Sequence, residues 1–76
     1  MDLYEIEKAL QDIDDKRYRY QLLIRSLEAK VERIEPNSAE FESTIATIFE
    51  YKNKIKALNN EYFSVSGKGN IFSTNT

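Results

Sequence analysis

The sequence has 76 residues, of which 41% are hydrophobic and 32% are charged, with a formal net charge of −2. It contains no Cys, and no His or Trp either, which excludes disulfides, thiolate nucleophiles, Ser–His pairs and the usual zinc sites. We therefore expect a protein that is not an enzyme, with no cofactor, no metal and no small-molecule substrate. Chains below about 70–80 residues usually need reinforcement beyond their own core. With disulfides excluded, we expect association with another protein or with a second copy.

We expect neither a signal peptide nor a membrane span. The N-terminus opens with Asp2 and lacks a basic segment followed by an apolar one. The longest apolar run, residues 22–24, is far shorter than the roughly 20 residues that a spanning helix needs. We expect a location in the cytoplasm or within a macromolecular assembly, with no membrane partner.

The first half of the chain predicts one long amphipathic helix. Its apolar residues recur at alternating steps of three and four, the pattern of a coiled-coil-like helix. We call this set, with the one polar exception Arg17, the α1 seam: Leu3, Ile6, Leu10, Ile13, Arg17, Tyr20, Ile24, Leu27, Val31 and Ile34. Asp2 is a suitable N-cap, and Pro36 ends the helix because the residue before a proline avoids the helical region. The prediction is a helix over about residues 3–34.

The second half predicts a second helix after a short turn. Asn37 with Glu40 indicates a capping box, and Ser38 is an alternative cap. The apolar pattern resumes as what we call the α2 seam: Thr44, Ile48, Tyr51, Ile55, Leu58, Tyr62 and Val65. A helix over about residues 38–64, joined to the first by about three residues, must run antiparallel to it. The predicted fold class is all-α, with an antiparallel helical hairpin over residues 1–64.

The remaining residues, 65–76, predict a separate tail. Gly67 stands where a C-cap glycine would end the second helix. Alternating segments on both sides of residues 67–70 favour an extended tail or a small β-hairpin. A frayed polar tail is the alternative.

Arg17 interrupts the α1 seam at its middle. A polar seam residue can select register or partner at a cost in stability, and Asp14, Asp15 or a carboxylate on a facing helix are its expected mates. The alternative is that its aliphatic stem covers the seam while the guanidinium reaches water.

The seams and the surplus aromatic residues form the predicted interface. All seam residues except Thr44 and Val65 belong to this interface. Aromatic residues off the seams are enriched at protein interfaces, so we add a set of candidate partner contacts that includes the tail: Tyr4, Tyr18, Phe49, Phe63, Lys68 and Phe72.

Nucleic acid is the less favoured partner. Residues 51–76 carry four lysines against Glu61, and Lys52, Lys56 and Lys68 are the candidate phosphate contacts. Residues 16–20 (KRYRY) also interleave basic and aromatic side chains, but they point in different directions on a helix and follow three aspartates. Both segments are more typical of a solvated helix surface.

Two stretches resemble known protein groups. Residues 35–41 (EPNSAEF) resemble the inter-helix turn of the needle subunits of type III secretion systems and their co-chaperones, which implies a helical hairpin working as a bacterial assembly subunit. Residues 61–63 (EYF) and 67–69 (GKG) resemble a stretch of phage recombination mediators, which implies single-stranded DNA as a partner. No functional residue is carried over from either group.

The sequence therefore favours an interaction module. We expect a small helical structural subunit or assembly chaperone of a virion-type or secretion-apparatus-type complex, acting through its apolar helix faces. The first alternative is an accessory protein for single-stranded DNA and recombination that uses the Lys-rich second helix and tail. The second alternative is a small inhibitor that docks on a host enzyme.

Overall fold

Two helices form an antiparallel hairpin. The structure, a computed structural model, describes residues 2–69, and for residues 68 and 69 it describes the backbone alone. Helix α1 (Leu3–Val31) and helix α2 (Ala39–Gly69) are joined by residues 32–38. They pack along their lengths into a rod with extents of 55 × 19 × 15 Å. The all-α prediction is confirmed for the described residues, which contain no strand.

The core is a narrow line of side chains between the helices. Among the described residues, the buried side chains are Ile6, Ile13, Ile24, Thr44 and Ile48. The other members of the two seams are half-buried, namely Leu10, Arg17, Tyr20, Leu27, Val31, Ile34, Tyr51, Ile55, Leu58, Tyr62 and Val65. Leu3 is the exception, since this first residue of α1 is exposed at the open end of the hairpin. Buried Thr44 satisfies its hydroxyl by donating to the Glu40 carbonyl oxygen at 2.7 Å.

The first helix begins where it was predicted and ends earlier. The Asp2 carboxylate accepts the Glu5 backbone N–H at 2.8 Å, so Asp2 is the N-cap. The helix ends at Val31, and the predicted extension to Ile34 is wrong. The Arg33 N–H donates to the Lys30 carbonyl oxygen at 2.9 Å, a three-residue closure that tightens the backbone out of the α-helix. Ile34 therefore lies in the turn.

Ser38 caps the second helix. Its hydroxyl accepts the Phe41 N–H at 3.1 Å and donates to the Glu35 carbonyl oxygen at 2.7 Å. The predicted capping box of Asn37 and Glu40 is wrong, because Asn37 takes a left-handed conformation with φ of 68°. Asn tolerates this region better than most residues, and it lets the chain reverse immediately before the cap.

The second helix continues past its predicted end. It runs through Gly69, so the boundary at residue 64, the C-cap at Gly67 and an extended start of the tail are wrong for residues 65–69. Val65 is half-buried, and its place on the α2 seam favours continued packing against α1. Residues 70–76, with Phe72 and the second half of the predicted β-hairpin, lie outside the described residues, as does the side chain of Lys68.

Candidate protein-interaction surfaces

Arg17, the polar exception in the α1 seam, contacts residues of both helices. Arg17 is ion-paired with Asp14, one turn earlier on the same helix. Its Nη1 donates to Asn59 Oδ1 on α2 at 2.7 Å, and its guanidinium carbon lies 4.8 Å from the centre of the Tyr62 ring. Asp14 was an expected mate, whereas the partner on the facing helix is an amide and an aromatic ring rather than a carboxylate. These contacts connect the middle of α1 to α2.

Further side chains, on and off the seams, connect the two helices. The rings of Tyr20 and Tyr51 lie 5.4 Å apart across the hairpin. Among the described side chains, two ion pairs join the helices: Lys30 Nζ lies 3.4 Å from Glu40 Oε1, and Lys52 Nζ lies 4.0 Å from Glu28 Oε2. All four of these side chains are about half exposed, so each pair contributes at most about 1 kcal/mol.

Large apolar side chains remain on the outside of the hairpin. Within the part of the chain that the structure describes, seven of them are between 45% and 74% exposed: Leu3, Tyr4, Tyr18, Leu22, Leu23, Phe49 and Phe63. The four aromatic residues are among the candidate partner contacts, and Leu3 is a seam member of the predicted interface, whereas Leu22 and Leu23 were missed. The run at residues 22–24 carried the signal for both. Successive helical residues point about 100° apart, so three adjacent apolar residues cannot all face one seam.

The exposed residues of α1 form a second apolar surface. Tyr4, Tyr18 and Leu22 each stand two residues before a member of the α1 seam, and residues two apart on a helix point about 200° apart. They therefore lie on the side of α1 that faces away from α2. Gln11 and Ala29, both exposed, complete a spacing of seven, seven, four and seven residues. We call these five residues the outer stripe.

A different surface lies on the side of α2. Phe49, Lys52, Lys56 and Phe63 follow one another at three, four and seven residues and share one face, which we call the α2 flank. Its beginning borders a shallow groove between the helices, lined by Glu28, Val31, Glu32, Ile45, Ile48, Phe49 and Lys52. Because Lys52 lies beside Glu28, part of the positive charge proposed for phosphate contact is already offset.

Three further observations bear on function. No group of three or more Asp or Glu side chains within residues 2–69 is arranged to hold a metal ion. Neither helix, over its described residues, combines the length and the apolarity of a membrane span. Comparisons with protein-family models, with curated proteins and with solved structures find no match for this chain.

Proposed function

We propose that the chain is a non-enzymatic assembly module, a small helical subunit or assembly chaperone that binds other protein chains through its apolar helix faces. The observation that carries the proposal is the distribution of apolar side chains. Seven large ones are exposed, against four isoleucines that are buried in the described residues. Full burial of such a side chain stabilises by about 1.5–3 kcal/mol, so a partner that covers this surface gains substantial free energy.

The alternatives draw less support from the described residues. Of the three lysines that favour single-stranded DNA, Lys52 has Glu28 as a neighbour, and Lys68 has its side chain outside the description. Phe49 and Phe63, on the same flank as Lys52 and Lys56, are exposed and can stack on bases as well as pack against protein. An inhibitor of a host enzyme would use the same apolar faces, and it differs from an assembly subunit in the identity of its partner.

Association of the purified full chain tests the proposal. Sedimentation equilibrium across the micromolar range is expected to give a mass above the 8.9 kDa of one chain. The midpoint of thermal unfolding, followed by circular dichroism, is expected to rise with protein concentration because association stabilises the folded state. A monomer that unfolds cooperatively, with a midpoint independent of concentration, contradicts the proposal.

A further inference from the structure

The charges of α1 are separated along its length. Residues 2–15 hold six acidic residues and one basic residue, a net charge of −5. Residues 16–31 hold five basic residues and one acidic residue, a net charge of +4. The helix dipole favours acidic residues only in the first turn and basic residues only in the last. It therefore does not account for Asp12, Asp15 and Arg19 near the middle of the helix.

Five of these charges border the outer stripe without an ion-pair partner inside the hairpin. One of them, Lys8, is the single basic residue of the acidic half, and the other four follow the charge separation. Glu7, Asp12, Arg19 and Arg25 are exposed, and none of them has an ion-pair partner within residues 2–69. Glu7 and Arg25 each follow a stripe residue by three positions, which places both along one edge of the stripe. Asp12 and Arg19 each follow a stripe residue by one position, which places both along the other edge.

We propose that the outer stripe binds the outer stripe of a second copy of this chain, with the two α1 helices antiparallel. This inference rests on the proposed function and names the partner. The twofold axis passes beside residues 16 and 17, at the middle of Leu3–Val31, so nearly the whole helix takes part. The acidic half of each α1 then lies against the basic half of the other, and complementary charge favours this pairing.

The register follows from the spacing of the stripe. Tyr4 packs over Ala29 of the second copy, a large residue against a small one. Leu22 covers the aliphatic part of Gln11 of the second copy. The Tyr18 hydroxyl donates to the Asp15 carboxylate of the second copy, beside the axis.

The charged edges match in the same register. In a twofold antiparallel pair each edge of a helix meets the same edge of its partner. Glu7 therefore meets Arg25 of the second copy along one edge, and Asp12 meets Arg19 along the other. Each pair occurs twice.

Competing self-associations oppose like charges. A parallel pairing of two outer stripes places the acidic half of α1 against the acidic half of the other copy. An antiparallel pairing of two α2 flanks, with Phe49 against Phe63, brings Lys56 against Lys56. The charge pattern thus selects the antiparallel α1 pair.

A matched pair of leucines tests the surface. Leu22 is 45% exposed and Leu23 is 46% exposed, but they point about 100° apart and only Leu22 lies on the outer stripe. We expect Leu22→Glu to lower the sedimentation mass of the full chain at micromolar concentration, because it places a charge in the contact. Leu23→Glu is expected to keep the wild-type mass, and circular dichroism checks that both variants remain helical. A mass unchanged in Leu22→Glu, or lowered equally in both, contradicts the inference.

Charge reversal tests the antiparallel register. Glu7 and Arg25 are 18 residues apart, about 27 Å along one helix, so they cannot meet within a chain. Glu7→Arg and Arg25→Glu are each expected to raise the dissociation constant about tenfold, because two attractive pairs become repulsive. The double variant is expected to return near the wild-type value. Absence of rescue contradicts the pairing.

The two proposals fail in different ways. An associated wild-type chain whose mass responds to neither the leucine series nor the charge series overturns the antiparallel α1 pair and leaves the assembly function standing. A cooperatively folded monomer overturns both.

Discussion

Arg17 is the residue at which the two helices make their most specific polar contact. It is the single polar member of the α1 seam, and its guanidinium contacts Asn59 and Tyr62 on α2. Sliding α1 by one turn would remove both contacts and leave a half-buried charge without them. An apolar residue at this position would tolerate several registers about equally. A polar seam residue lowers the stability of the pair but favours a single alignment.

Substitutions at Asn59 and at its neighbour Asn60 measure how much the Arg17 contact contributes to the free energy of unfolding. Hydrogen bonds to charged groups contribute about 1.5–3 kcal/mol, and the bond from Arg17 to Asn59 is only partly buried. We expect Asn59→Ala to lower the free energy of unfolding by about 1 kcal/mol relative to Asn60→Ala, which changes the same residue type at an exposed position of α2. Urea unfolding at one fixed protein concentration gives both values. Equal stabilities would show that the Arg17 contact contributes nothing to folding.

At the scale of elements, the helices and the start of α1 could be predicted, and the C-terminal ends of the helices could not. Side-chain periodicity determines which residues face the partner helix, and it identified both seams. It does not determine where the backbone leaves the helix. Ile34 continues the seam spacing although the backbone has already tightened at Arg33. Gly67 is a typical stop signal, although α2 runs through Gly69 and Val65 within it is half-buried.

The contacts across the hairpin could also not be predicted from the sequence. On the facing helix, the expected partner of Arg17 was a carboxylate. Which α2 residue stands opposite Arg17 depends on the turn geometry at Asn37 and Ser38. A shift of one residue in that turn would bring a different face of α2 to Arg17. The exception in the seam could be predicted, whereas its partner on α2 required the structure.

Gly67 distinguishes the two descriptions of the end of α2. A glycine inside a helix costs about 0.5–1 kcal/mol relative to alanine, because it loses more backbone freedom on folding. Gly67 has no positive φ, and a Cβ placed there meets no atom within 4 Å. We expect Gly67→Ala to raise the free energy of unfolding by about 0.5–1 kcal/mol, measured by urea unfolding. A left-handed C-cap at Gly67 would reverse the sign, because alanine is strained in that conformation.

For the whole molecule, the surplus of apolar residues was evident from the sequence. Their distribution over separate surfaces was not. The sequence showed more apolar residues than one hairpin could bury. The structure separates them into an inner seam, an outer stripe on the opposite side of α1, and a lysine-bearing flank on α2. That division assigns opposite electrostatic preferences to the two outer surfaces. The outer stripe complements a copy of itself, whereas the α2 flank repels one.

Salt dependence separates charge-selected pairing from simple apolar association. Raising ionic strength from about 0.1 M to about 1 M shortens the Debye length from about 10 Å to about 3 Å. We expect the dissociation constant of the wild-type chain to rise over this range, because the four edge ion pairs of the antiparallel dimer lose strength. The matched control is the charge-neutral variant Glu7→Gln/Arg25→Gln, whose dissociation constant should start higher and change less, since two of those four pairs are absent. Sedimentation at matched protein concentrations gives both slopes. A wild-type dissociation constant that stays level or falls with salt would mean that apolar contacts alone hold the copies together, and that the charge separation along α1 does not select the partner.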